Sequence, residues 1–214
     1  MSQIYCYGED ALTYWAITSQ LDKILRPLED DCSPDEAIIV YRPSFGRRGR
    51  ANLNSAGKPL RAGFGECDAI IGTRHSTYLI ESKWSSSPKV QGNKIILNEV
   101  QIHRHEIIRW YLDKWRASQP MSWQTFISEF ECEFIAKFQG NKMAPFESIL
   151  AKNLEFLLKT LSQCGTCIQN ILLFFDKAGG TKPMEVSPAS FHLVTLEYYP
   201  LAPSGYFQIF PVTG

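Results

Sequence analysis

No stretch of this 214-residue chain approaches the roughly eighteen consecutive apolar residues that a membrane-spanning helix requires. Neither sign of charge dominates: 22 Lys and Arg meet 22 Asp and Glu, a formal net charge of zero. That balance excludes a protein that coats nucleic acid by bulk charge, while leaving room for a local basic track. Glycine and proline, 14 and 12, are ordinary, and a hydrophobic content of 44% is too high for a disordered chain. The opening MSQIYCYGED lacks a basic segment followed by an apolar one, so no secretory signal is expected. The six cysteines, at 6, 32, 67, 132, 164 and 167, are scattered. Without an export signal they are expected as reduced thiols in a cytoplasm. There is no internal repeat and no linker-like stretch, so a single domain over 1–214 is expected.

What is present is a mixed pattern. Residues 8–26 carry Leu12, Trp15, Ala16, Leu21, Ile24 and Leu25 at helical spacing, with Glu9 in the first turn and Pro27 ending the run. Five carboxylates crowd 29–36, and AIIVY at 37–41 reads as a buried strand. Residues 42–65 then place Arg42, Arg47, Arg48, Arg50, Lys58 and Arg61 among five glycines with no acid between them, the composition of a long loop. Two β-like runs, 66–72 and 77–84, are joined by TRHS as a hairpin or at least as neighbours, and 85–94 is a polar loop. Helical periodicity covers 98–116, 123–138 and 145–163. Strands are expected at 168–176, 191–200 and 205–212. This order predicts an α/β protein with a mixed β-sheet flanked by helices, a helical elaboration over about 120–163, and extra C-terminal helices and strands.

Chemistry concentrates in ECDAIIGTRHSTYLIESKW, residues 66–84. On a strand, Glu81 and Lys83 leave one face while Ile80 and Ser82 leave the other. If the preceding strand pairs here, Asp68 reaches the same end of the sheet. Two carboxylates at close range are unfavourable unless something lies between them. A hard divalent cation suits that position, and Mg²⁺ prefers such sparse oxygen ligation. It would polarise a phosphoryl oxygen and acidify water, with Lys83 orienting the water or stabilising developing charge.

These residues resemble the PD-(D/E)XK nuclease superfamily, the restriction-endonuclease-like fold. Cys67-Asp68 is followed after twelve residues by Glu81-Ser82-Lys83 and then Trp84, and ESK is the only acid-x-Lys triplet in the chain. Cys67 stands where the family nominally has Pro. The resemblance covers about 8–116 and in outline the strand at 168–176. It implies that Asp68 and Glu81 bind metal, that the Ser82 carbonyl completes the ligation, and that Lys83 assists the attacking water. It further implies that Glu9 reaches the metal through water, and that Gln101 with His105 matches a Gln and Tyr-type pair on the following helix. The implied activity is Mg²⁺-dependent phosphodiester hydrolysis of nucleic acid, DNA before RNA, with Mn²⁺ as an alternative ion and a two-fold homodimer as the assembly. Arg47, Arg48, Arg50, Lys58 and Arg61, together with His105, would contact backbone phosphates.

Each of these residues also has a plainer role open to it. Glu81 and Lys83 would serve as an ordinary ion pair on an exposed strand, and Glu9 as a first-turn acid facing the helix dipole. Gln101 and His105 would be polar positions on a solvated helix face, and the basic block a solvated loop. The same fold without catalysis would be a nucleic-acid- or protein-binding module. Cys164 and Cys167 have zinc or redox spacing but no second ligand pair nearby, so packing is the expectation. His75 and His103 are further phosphate-contact candidates. Trp110, Trp115, Trp123, Phe126, Phe130, Phe134 and Phe138 recur mostly at helical intervals and read as core or as a surface for a partner helix.

Overall fold

The computed structural model of the protein describes residues 4–45, 52–53, 59–60, 66–85, 87, 90–91, 93–138, 141–179, 183, 185–201 and 204–209. In chain order the elements are β1 (Ile4–Cys6), α1 (Glu9–Ser19), α2 (Leu21–Leu25), β2 (Ile38–Tyr41), β3 (Asn52–Leu53), β4 (Pro59–Leu60), β5 (Ala69–Gly72) and β6 (Ser76–Trp84). They continue with β7 (Val90–Gln91), β8 (Lys94–Ile96), α3 (Glu99–Ser118), α4 (Trp123–Lys137), α5 (Ile149–Leu161), β9 (Cys167–Lys177), β10 (Glu185–Ser187), β11 (Phe191–Tyr198) and β12 (Phe207–Ile209). None of the described helices is long and apolar enough to cross a membrane.

The centre is a five-stranded mixed sheet in the order β11-β9-β6-β5-β2. β2, β5 and β6 pair antiparallel; a short turn joins β5 to β6, whereas residues 42–68 separate β2 from β5. β9 lies parallel to β6, and the crossover that parallel pairing demands is supplied by α3, α4 and α5. β11 adds a second parallel pair. β6 and β9 are consequently covered on both faces, which explains why YLI and ILLFF read as nearly continuous apolar runs.

Strand alternation sorts the core into two main layers. Tyr78 and Ile80 of β6, with Ile171, Leu173 and Phe175 of β9, pack against Leu12, Ala16 and Ile17 of α1 and Ile24 of α2. Leu79 of β6 and Ile70 of β5 face the other way, into the layer built by α3, α4 and α5. That second layer holds the aromatic series. Trp110 meets Phe134 at 5.1 Å between centroids, and Trp115 meets Phe126 at the same separation. Trp110 Nε1 and Trp123 Nε1 find acceptors in Glu133 and the Ala144 carbonyl, so the rings enter the interior without stranding a donor.

The long N-terminal helix expected over 8–26 is interrupted at Gln20, where φ −133° and ψ 23° leave the helical region. The Thr13 and Thr18 hydroxyls bond back to the carbonyls of Glu9 and Tyr14, an alternative that loosens a helix locally. The break turns Leu21, Ile24 and Leu25 onto the sheet. The polar stretch 85–94 contributes to β7 and β8, and β8 pairs in parallel with β10. At the N-terminus, β1 pairs antiparallel with β12, an element that three residues of sequence did not announce.

Candidate functional site

The hairpin of β5 and β6 sets the site's register. Ala69 lies opposite Ile80, so one further step places Asp68 opposite Glu81. Directly opposed residues on an antiparallel pair share a face, and two like charges there are unfavourable. Glu81 and Lys83 are held in the interior, 2% and 7% exposed, and Asp68 is half-buried. The cost is met by donors. Glu81 Oε1 accepts from Lys83 Nζ at 3.1 Å and from Gln101 Nε2, and its Oε2 faces Arg104 Nη1 at 3.4 Å. Asp68 Oδ2 accepts the Ser82 backbone N–H at 2.7 Å. Lys83 Nζ also donates to Glu9 Oε1 at 3.0 Å and to the Ser82 carbonyl. Glu9 comes from the first turn of α1, which packs on the opposite layer, so the lysine ties both layers together at the strand end.

The electrostatics follow from burial and from this crowding. Burial first, then the neighbouring charge of Glu81, pushes the Asp68 carboxyl up to about 7 against the pull of the Ser82 N–H and the Lys83 cation. Glu9 is raised as well, chiefly by burial, with Lys83 opposing. Burial alone would pull the Lys83 ammonium down, but the charges of Glu81, Glu9 and Asp68 outweigh it and hold the group above its ordinary value. The pocket thus contains more negative charge than its cations fully compensate. The carboxylates of Asp68 and Glu81 and the backbone carbonyl of Ser82 are hard oxygen donors, of the chemistry that Mg²⁺ or Mn²⁺ would require.

Gln101 is placed by a capping box at the start of α3. Its N–H donates to Asn98 Oδ1 at 2.9 Å, while its Oε1 accepts from the Asn98 N–H at 3.0 Å. With its carbonyl oxygen committed to the cap, the amide nitrogen is aimed at Glu81. His105 departs from the role expected for it. It is 1% exposed, its Nδ1 lies 3.2 Å from Asn170 Oδ1, and its ring leans on Phe191, so it is an interior residue and does not face nucleic acid. Its Nε2 stands 3.9 Å from Glu81 Oε2, and burial drives its pKa down to about 4, which keeps the ring neutral.

Arg104 is the site residue that the sequence reading missed. It contacts Glu81 and donates to the Glu66 carbonyl. The signal existed: residues 101, 104 and 105 are spaced i, i+3, i+4 and share one helix face. The five bases proposed for phosphate contact, Arg47, Arg48, Arg50, Lys58 and Arg61, lie outside the described residues. Arg42, from the same block, is engaged with Asp10 and with Glu66 at 2.7 Å.

Other candidates resolve elsewhere. Cys164 is buried beneath Gly72, Cys167 opens β9, and both are free thiols. His103 pairs with Glu106 at 3.5 Å. Among the described residues, Asp30, Asp31 and His75 form the single group of three metal-capable side chains with ligand atoms within 4.8 Å of one another. Its members already have partners. Asp30 accepts from the Cys32 N–H, Thr73 Oγ1 and Tyr78 Oη, and Asp31 is bridged by Arg74 and His75. Glu9, Asp68 and Glu81 do not close into so compact a triple, because the Lys83 ammonium stands between Glu9 and Glu81. No protein-family model matches the chain, and no curated protein or solved structure matches it significantly.

Proposed function

We propose that the chain is a metal-dependent nuclease of the restriction-endonuclease-like kind, hydrolysing phosphodiester bonds of nucleic acid, DNA before RNA. The observation that carries this reading is the gathering of Asp68, Glu81 and Lys83 at one strand end, with Asp68 pushed up to about 7 by burial and the adjacent carboxylate. A perturbed carboxylate beside a buried lysine marks a functional-site candidate, because general acid–base and metal chemistry need such tuned groups. The order of the central sheet, three antiparallel strands followed by parallel strands across a helical crossover, is compatible with that fold.

In this reading Asp68, Glu81 and the Ser82 carbonyl would hold a Mg²⁺ or Mn²⁺ ion, with Glu9 nearby. When bound, the ion supplies Lewis-acid polarisation of a phosphoryl oxygen. Lys83 spends its three N–H donors on Glu9, Glu81 and the Ser82 carbonyl, so it would give up one of them to orient the attacking water, and its cation offers positive charge where the transition state is most negative. Gln101 fixes the rotamer of Glu81, and Arg104 holds its other oxygen. The test is cleavage of labelled single-stranded and duplex DNA and RNA with Mg²⁺, Mn²⁺ or EDTA. Loss of all metal-dependent cleavage in folded Asp68→Ala and Lys83→Ala variants is the expected result. Unchanged cleavage in both ends the proposal.

A second reading has its own support. Both oxygens of Glu81 are already contacted by protein donors, as in a site that has become purely structural. A non-catalytic module would bind nucleic acid or protein equally well in EDTA and turn over nothing with any metal.

A further inference from the structure

Beside the carboxylates lies a set of rings with no part in the core layers of α3–α5. Tyr7 and Trp84 meet edge to face, centroids 5.5 Å apart at 90°, and Tyr7 meets Tyr206 at 5.4 Å. Tyr7 is 58% exposed and Tyr206 47%. In an edge-to-face pair one ring keeps both faces clear of the other.

Their placement follows from the backbone. Cys6 lies opposite Phe207 in the β1–β12 ribbon, so the next step sets Tyr7 beside Tyr206. A two-stranded ribbon of three-residue strands contributes little stability of its own, yet this one fixes both tyrosines. Tyr7 is two residues from Glu9, a span of at most about 7 Å along the chain. Trp84 directly follows Lys83, and its backbone N–H also supports the Glu9 carboxylate. Alternation turns the Trp84 ring to the α1 side of the sheet and Lys83 to the other, and Glu9 joins the two: its carboxylate takes Lys83 Nζ at 3.0 Å while the rings of Tyr7 and Trp84 lie on its own side.

We infer that Tyr7, Trp84 and Tyr206 form a stacking shelf for unpaired nucleobases, so that a single strand or a frayed end is the form of nucleic acid delivered to Lys83 and Asp68. This rests on the nuclease reading above. Bases inside a duplex hide their faces in the stack, whereas unpaired bases offer them, and aromatic side chains bind such faces without sequence preference. Every base has a π-face, so the shelf selects strand state and leaves sequence unread.

The test is binding by the full chain in EDTA, where no cleavage occurs. The probes are a fluorescein-labelled oligothymidylate of about 15 nucleotides and a blunt duplex of equal length. The oligothymidylate is expected to bind at least about tenfold more tightly than the duplex. Tyr7→Ala and Tyr206→Ala, at exposed positions that leave the core intact, should each weaken it about tenfold, while Tyr7→Phe retains it. Equal affinity for both probes, or Ala variants within about twofold of the parent, overturns the shelf. Shelf-dependent strand binding without turnover in Mg²⁺ keeps the shelf and removes the nuclease reading. Turnover that the Tyr variants leave unchanged does the reverse.

Discussion

Replacing Asp68 with Asn is expected to stabilise the metal-free protein at about pH 8 while abolishing its proposed activity. Asp68 has an ordinary value of 3.8 and is pushed to about 7 in the folded chain, by burial and then by Glu81. A gap of roughly three pH units corresponds to about 4 kcal/mol. The folded state binds the proton more tightly than the unfolded state, so this contribution is fully present below 3.8 and is lost as pH rises through about 7. Asn keeps the oxygen that accepts the Ser82 N–H and never ionises. In EDTA the variant should therefore match the parent near pH 4 and exceed it by up to about 4 kcal/mol, or roughly 10 °C in Tm, near pH 8. Thermal melts across that range provide the assay. Adding Mg²⁺ at the upper end should raise the Tm of the parent and leave the variant unmoved. A stability gap that does not change with pH, or a variant less stable than the parent at pH 8, would refute the electrostatic account of the site.

Other outcomes follow from neighbouring contacts. Lys83→Met leaves buried Glu81 with Arg104 as its one counter-charge among the described residues and should cost about 3 kcal/mol in urea unfolding, a loss that the double variant with Glu81→Gln largely recovers. Asn98→Ala removes the capping box and should lower stability by about 1 kcal/mol. Because it also frees Gln101 from its anchor, it should depress metal-dependent cleavage more than an equally destabilising change at Ser148, the cap of α5. Gly165→Ala would set a Cβ 2.0 Å from the His75 carbonyl carbon, against backbone that cannot move aside, and should prevent soluble expression.

The central architecture was readable because its signals are local and redundant. The apolar run IQNILLFFD suits a strand covered on both faces, and β9 is that strand. The Glu81-x-Lys83 alternation fixed which side chains share a face, and the structure brings them together at 3.1 Å. The strand at 205–212 contains β12, but β1 and its pairing are not legible, because a three-residue strand has no periodicity and its partner lies some two hundred residues away. His105 was misplaced for a different reason. Helical spacing puts it beside Gln101, but whether that face meets solvent or β9 depends on Asn170 and Phe191, which no local pattern connects to it. Arg104, one position earlier, was overlooked although the same spacing contained it.

The turn at the far end of the β5–β6 hairpin has a bearing on chemistry it never touches. Thr73 and Ser76 close it, Thr73 Oγ1 donates to buried Asp30, Tyr78 donates to the same carboxylate, and the Gly165 N–H clamps the Thr73 carbonyl. Five residues on, about 17 Å along the strand, stands Glu81. A slip of one residue at that turn would exchange Glu81 and Lys83 for Ile80 and Ser82 on the working face. The cluster around Asp30, acidic and metal-like at first sight, is better understood as a ratchet pawl: it admits a single tooth of the ladder, and the site exists only at that setting.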